Sequence, residues 1–405
     1  MSDPRSIVII GAGECGVRAA LTLRVEGYTG EIALIHGEAV EPYERPPLSK
    51  PGTEDIFPKQ ISGTDRLTHE AITVFHDQRA TAIDRTTKTV RLSSGKMVPY
   101  DRLLLATGAR PRPLMIEGRE INDVRLFRTI VDAKAFFDIL SSNLKLTIIG
   151  GGFIGLELAA AARQRQVFTT VIESAPRILS RAVPPSFAAR IEKRHRDEQV
   201  RFFIGQSIQS INSKRTVRLA DGSEILSDII LAGIGSLPEI ELAQNCGLTI
   251  DNGIAVDESL RTSDPDIFAA GDCCSFLHSL YGKKRIRLES WRAAQEQGTH
   301  AARALLGSTE PYQSVPWFWS DQYDLTLQIA GLPSEGVTDV KRALAEGSEI
   351  LFHLDVTGRL VGASGLSHDN KIGKEIRLAE MLIAKGSQPD QSALVDPKIN
   401  LKSLL

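Results

Sequence analysis

The sequence predicts an α/β protein of two similar domains followed by a C-terminal α+β domain. Two observations carry that prediction. A unit of apolar strand, glycine turn, helix and second strand occurs twice, its first glycines 139 residues apart, and a repeated supersecondary unit implies a repeated domain. From about Val315 the pattern changes to short strand-like segments closed by one helix.

The first copy runs from a strand at Ile7 to Ile10 through Gly11-Ala12-Gly13-Glu14-Cys15-Gly16 into an alanine- and leucine-rich helix ending near Glu26. A second strand spans Glu31 to Ile35. The apolar run from Ser6 is too short for a signal-peptide core and reads as a first buried strand. The second copy joins Lys145 to Ile149 with Gly150-Gly151-Gly152-Phe153-Ile154-Gly155, a helix through Ala162, and a strand from Phe168 to Ile172 closed by Glu173. Leu103-Leu104-Leu105 and Ile267-Phe268-Ala269-Ala270 read as further buried strands, running into Ala106-Thr107-Gly108 and Gly271-Asp272. Beyond Pro316-Trp317-Phe318-Trp319, strand-like segments lie at Leu325 to Ala330, Glu349 to Leu354 and Arg359 to Ala363, then a helix from about Lys374 to Ala384.

The glycine turns mark both copies as Rossmann-like dinucleotide-binding units. Gly11 and Gly150 permit the tight turn, Gly13 and Gly152 let a pyrophosphate approach the backbone, and Gly16 and Gly155 let helix and strand pack closely. The helix N-terminus then offers N–H groups and a positive dipole end to the phosphates. Taken singly, either motif is equally a tight turn with no ligand; recurrence is what separates the readings. An acid about twenty residues on binds ribose hydroxyls. Glu173 lies 18 residues past Gly155 and ends its strand; a carboxylate there repels a 2′-phosphate, favouring NADH over NADPH. Glu38 lies 22 residues past Gly16, after His36 and Gly37, and the alternative for it is a solvated loop charge. Asp272, at a strand's carboxyl end, suits a ribityl or ribose chain, while read alone its strand is an ordinary core element.

Composition narrows the class. With 405 residues and 42% hydrophobic content the chain can fill two or three domain cores. A net charge of −2 gives no global field for nucleic acid, and no run approaches the ~20 apolar residues of a membrane helix. Cys15, Cys246, Cys273 and Cys274 show neither metal-ligand spacing nor a disulfide framework, so no metal is expected and a reduced, cytoplasmic setting fits.

The ordered set of first glycine motif, Tyr43-Glu44-Arg45-Pro46-Pro47-Leu48-Ser49-Lys50, Ala106-Thr107-Gly108, second glycine motif and Ala270-Gly271-Asp272 resembles the glutathione-reductase structural family. Within it the chain is most similar to the NADH-dependent ferredoxin reductases of bacterial oxygenase systems. The similarity spans nearly the whole chain and is most specific at Arg45 to Lys50, Gly150 to Leu158 and Pro316 to Gln322. It implies an FAD-binding domain at 1–110 and 247–314, an NADH-binding domain at 111–246 and a C-terminal domain at 315–405. It also implies that Lys50 lies beside the flavin N5, paired with Glu157 in the first turn of the second glycine helix, and that Gly271 and Asp272 hold the ribityl chain. Arg45 and Arg128 would approach the FAD phosphates or flavin edge, and Trp291 would pack against the flavin. Ala82, Thr107, Gly108 and Gly235 would be further cofactor contacts. Trp317 and Trp319 match an aromatic cluster, for which plain core packing is the other reading.

Thiol chemistry is missing where related enzymes use it, because Gly30 to Gly108 contains no cysteine. Electrons would therefore leave the flavin directly, to a 2Fe–2S ferredoxin of plant/vertebrate or Rieske type that serves an oxygenase. Lys283-Lys284-Arg285-Ile286-Arg287, with Lys371, Lys374 and Arg377, is a candidate basic docking face, against the reading of a solvated loop. The rival functions are an NADH oxidase reducing oxygen or a quinone, and a flavin redox sensor of apoptosis-inducing-factor type. Four stretches depart from the family pattern: a shorter Pro51 to Thr68, Glu239 after Pro238, Ala293-Ala294-Gln295, and Ser367-His368-Asp369-Asn370.

Overall fold

The computed structural model describes residues 4–50 and 57–405, so part of the Pro51 to Thr68 stretch lies outside the described residues. By contact the chain divides into two compact units. The first comprises Met1–Glu44, Pro58–Arg110 and Pro238–Pro316, the second Arg45–Phe57, Pro111–Leu237 and Trp317–Leu405.

The first unit is built on a five-stranded parallel sheet in the order Ile267–Ala269, Arg102–Leu105, Ser6–Ile10, Glu31–Ile35, Ile72–Phe75. After their polar first residues, Arg102, Ser6 and Glu31, its central strands are apolar, as a parallel sheet covered on both faces requires, and Ile7, Ile9, Leu103, Leu104 and Phe268 are fully buried. Helix Glu14–Val25 follows the first strand and packs on helix Trp291–Leu305. Gly298 makes that approach possible: a Cβ there would lie 2.4 Å from the Cys15 carbonyl oxygen. A three-stranded antiparallel sheet, Ala80–Asp84, Thr89–Leu92 and Met97–Pro99, and a second three-stranded sheet, Ile254–Ala255, Cys274–His278 and Lys284–Ile286, belong to the same unit.

The second unit repeats the plan with a four-stranded parallel sheet in the order Arg201–Ile204, Phe168–Glu173, Lys145–Ile149, Ile229–Ala232. Helix Phe153–Gln164 runs two residues beyond the predicted Ala162, and helix Pro185–Asp197 follows. The same unit holds a five-stranded antiparallel sheet in the order Trp317–Gln322, Leu325–Gly331, Leu360–His368, Glu349–Leu354, Thr338–Ala343. Leu325, Leu327, Ile329, Leu351 and Leu366 share one apolar cluster with Phe136, Leu156 and Phe187. Helix Gly373–Ala384 covers the sheet, and Gly365 lets it close, since a Cβ there would meet Ile372 and Ile376 at 2.8 and 3.0 Å.

Two of these strands, Trp317–Gln322 and Thr338–Ala343, are not predicted by the sequence pattern, and Leu360–His368 is longer than predicted. Thr338–Ala343 hides its period because the inward residue at its end is charged. Arg342 is 2% exposed and donates to the main-chain oxygens of Ala393, Leu394 and Ile399 at 3.4, 3.2 and 2.5 Å.

Candidate functional site

Each glycine turn forms a cradle in its own unit. In the first, Gly11 has φ +109° and no room for a side chain: a Cβ would stand 2.2 Å from the Ala106 carbonyl oxygen. Gly16 is equally confined, 1.9 Å from the Gly11 oxygen, whereas a Cβ at Gly13 would meet nothing within 4 Å. The turn is thus tight where strand and helix meet and open at the one position a pyrophosphate would occupy. Gly271, φ +81°, closes one side, its Cβ position 3.2 Å from Cys15 Cβ, and its N–H is held by Gln297 Oε1 at 2.7 Å. Asp272 follows directly. Thr107 Oγ1 donates to the Glu239 carbonyl at 2.7 Å, Glu239 N donates to the Gly108 carbonyl at 2.9 Å, and Arg110 pairs with the Glu239 carboxylate at 3.0 Å. The departure at Glu239 therefore has a local partner.

Glu38 is a held group, accepting from Tyr43 Oη at 2.7 Å. Trp291, first residue of its helix, sits beside Glu14, to which Gln295 Nε2 donates at 2.7 Å. That contact accounts for Gln295 in the departing stretch Ala293-Ala294-Gln295. Burial pushes the Glu14 carboxyl above its ordinary value. Ala82 is exposed on its strand, paired with Arg91. The residue from that region lying beside Gly37 is Arg79, whose Cγ is 3.3 Å from a Cβ position on Gly37.

The second cradle repeats the geometry. A Cβ at Gly150, φ +107°, would meet the Gly233 oxygen at 2.4 Å, and one at Gly155 the Gly150 oxygen at 2.3 Å. At Gly152 the nearest atom is 3.8 Å away, and at Gly235, φ +109°, nothing lies within 4 Å. Glu173 reaches across the turn: Oε2 accepts from Gly151 N and Oε1 from Ala175 N, both at 2.7 Å. Oε1 also accepts from Ser174 Oγ at 3.4 Å, and Oε2 keeps a lone pair for a ribose hydroxyl. Both cradles therefore fit a dinucleotide.

Glu157 anchors a third cluster. It is the fifth residue of helix Phe153–Gln164, in the second turn, not the first as expected, which takes it away from the unpaired N–H groups at the helix start. Its side chain is 3% exposed, and Lys50 Nζ lies 3.0 Å from Oε1. Ser320 Oγ donates to Oε1 at 2.6 Å and Ser49 Oγ to Oε2 at 2.5 Å. Lys50 also lies 5.9 Å from the Trp319 ring, which stacks on Trp317 with centroids 5.3 Å apart. Arg45 Nη1 donates to the Arg128 carbonyl at 2.7 Å, so those two residues are neighbours as well. Ser49 and Ser320 were not singled out by the sequence. Ser49 adjoins Lys50 in its motif, but Ser320 requires knowing the face of an unpredicted strand.

Cys15, Cys273 and Cys274 are fully buried thiols, pushed up by burial, and Cys246 is half-buried. Among the described residues no group of His, Cys, Asp or Glu could hold a metal ion, and no helix is long and apolar enough to cross a membrane. The basic run is largely neutralised: Lys283 pairs with Glu258 at 2.9 Å, Arg285 with Asp251 at 3.3 Å, and Arg287 with Glu289. Lys371 pairs with Glu346 and Arg377 with Glu380.

Comparison with known proteins agrees with this architecture. Residues 5–298 match the model of the pyridine nucleotide-disulphide oxidoreductases, and residues 317–405 that of the reductase C-terminal domain. The ferredoxin–NAD(+) reductase component of the anthranilate 1,2-dioxygenase system of Burkholderia cepacia is 38% identical over 417 residues, covering 100% of both chains. Putidaredoxin reductase of Pseudomonas putida is 37% identical over 368 residues, 87% of each. Among solved structures, the covalent putidaredoxin reductase–putidaredoxin complex matches with a TM-score of 0.92 at 33% identity, over 100% of this chain and 98% of that one. The chain belongs to the pyridine nucleotide-disulphide oxidoreductase family, in the branch that carries the reductase C-terminal domain.

Proposed function

We propose that the chain is an NADH-dependent ferredoxin reductase, an FAD enzyme that delivers electrons one at a time to a 2Fe–2S ferredoxin serving an oxygenase. Full-length similarity to the reductase component of a dioxygenase system, and similarity over 87% of the chain to putidaredoxin reductase, support the reading. In it, residues 1–110 and 247–314 hold FAD, residues 111–246 hold NADH, and residues 315–405 form the C-terminal domain. The four free thiols suit a cytoplasmic setting.

FAD, when bound, supplies the conversion of a two-electron donor into two single-electron deliveries. The chain's part is to bind, orient and balance charge. Gly11, Gly13 and Gly16, with Gly271 and Asp272, receive FAD, and Arg45, Arg128, Thr107, Gly108 and Trp291 contribute to its site. Gly150, Gly152, Gly155 and Gly235 receive NADH with Glu173 on its ribose. The observation that carries the reading is the Lys50–Glu157 pair: a desolvated carboxylate, two residues past the last cradle glycine, fixes an ammonium at 3.0 Å. A cation held in place stabilises developing negative charge without reorganising.

Anaerobic stopped-flow mixing tests it. NADH should bleach the flavin absorbance much faster than NADPH, and added 2Fe–2S ferredoxin should then be reduced. Lys50→Met should slow the NADH step about 100-fold. Fast bleaching with no transfer to any ferredoxin, and oxygen consumed at the same rate when the mixing is repeated in air, would make the chain an oxidase instead.

A further inference from the structure

Glu157 is the end point of a one-way line of hydrogen-bond donors. The line begins at His195, on helix Pro185–Asp197, whose imidazole is fully buried and pushed down by that burial to about 4. His195 Nε2 lies 2.8 Å from Gln322 Oε1. An amide oxygen only accepts, so the neutral imidazole carries its proton on Nε2. Gln322 Nε2 donates to Ser320 Oγ at 3.2 Å, and Ser320, its acceptor lone pair so engaged, turns its proton to Glu157 Oε1 at 2.6 Å. Ser49 takes the other carboxylate oxygen.

Two periods bring the line together. Phe318, Ser320 and Gln322 share one face of their strand, spaced roughly 7 Å apart. Phe153 and Glu157 share one face of their helix, roughly 6 Å apart. The matched spacing sets Phe318 on Phe153, with ring centroids 4.3 Å apart, as Ser320 meets Glu157, and leaves Gln322 for His195 on the next helix. Turning the Gln322 amide over would put its oxygen on Ser320, draw the hydroxyl proton away, and leave Oε1 to Lys50 alone.

We propose that Ser320, oriented by Gln322 and His195, is a positioning residue for the Lys50–Glu157 pair in the NADH step. The proposal rests on the reading that Lys50 serves the flavin. With one hydroxyl on each oxygen, the carboxylate is fixed in rotation, and Lys50 has a single place to sit.

The test uses the FAD-loaded enzyme and three variants, Ser320→Ala, Ser320→Thr and Lys50→Met, read by stopped-flow and by the flavin midpoint potential. Ser320→Ala should slow the NADH step about tenfold at saturating NADH, with the apparent NADH affinity unchanged. It should also lower the two-electron midpoint by about 30 mV, the equivalent of a tenfold loss. Ser320→Thr, which keeps the hydroxyl, should restore both. If Lys50→Met shifts rate and potential while Ser320→Ala shifts neither, the positioning role is overturned. If Lys50→Met shifts neither, the reading of Lys50 itself fails. Should Ser320→Ala not fold, Gln322→Met keeps the hydroxyl and removes what orients it, together with the acceptor of His195; a rate slowed less than threefold with an unmoved potential would then overturn the proposal.

Discussion

Glu173 illustrates how a single carboxylate can be both structural and selective. Its two oxygens are pinned by the Gly151 and Ala175 N–H groups, so its charge stands in one place across the second glycine turn. A 2′-phosphate brought there would meet fixed negative charge. Glu173→Ala should narrow the preference for NADH over NADPH at least tenfold in kcat/KM, about 1.4 kcal/mol. Glu173→Gln should also lose NADH affinity, because one amide position would turn N–H against N–H. The place of this residue was legible in the sequence, since a strand end at a set distance from a glycine turn is a one-dimensional signal. Glu157 with Lys50 was legible only through resemblance to a family, and Ser320 not at all: its contact joins positions 163 apart through a strand face.

Within elements, the glycines divide by what surrounds them. Gly155 is confined by backbone on its own turn, 2.3 Å from where a Cβ would fall, while Gly152 faces open space and has an ordinary φ of −83°. Gly155→Ala should therefore lower the melting temperature by several degrees, since backbone has to move. Gly152→Ala should leave it within about a degree yet weaken NADH binding more than tenfold. Thermal melts and NADH titration at constant FAD separate the two. Buried parallel strands such as Glu31–Ile35 and Lys145–Ile149 match their predicted bounds because each is a near-continuous apolar run opened by one exposed charged residue. Trp317–Gln322 has no such run, since its six residues mix aromatic and polar side chains on both faces.

Across the whole molecule, pH and salt act through groups already paired or buried. Burial pushes His195, His278, His300 and His353 down. The unfolded chain then binds protons the folded one refuses, so stability is lost as pH falls from 6.5 toward 4. His195 alone, lowered to about 4, accounts for on the order of 3 kcal/mol. The melting temperature should drop steadily over that window at fixed FAD, and His195→Gln should flatten part of the slope. The basic run carries its own counter-charges, and Arg285 also donates to the Val256 and Ser275 carbonyls at 3.0 and 2.6 Å. Arg285→Glu should accordingly cost stability before it costs ferredoxin turnover, and turnover should depend only weakly on salt.

Arg342 sets a different kind of constraint. Its guanidinium is held by three main-chain oxygens, not by side chains. The identities of Ala393, Leu394 and Ile399 can therefore drift freely as far as this contact is concerned, while the path of the chain through them cannot. A family tree of such chains would show one invariant arginine facing a tail of shifting letters, and a shortened tail would be tolerated only together with the loss of that arginine.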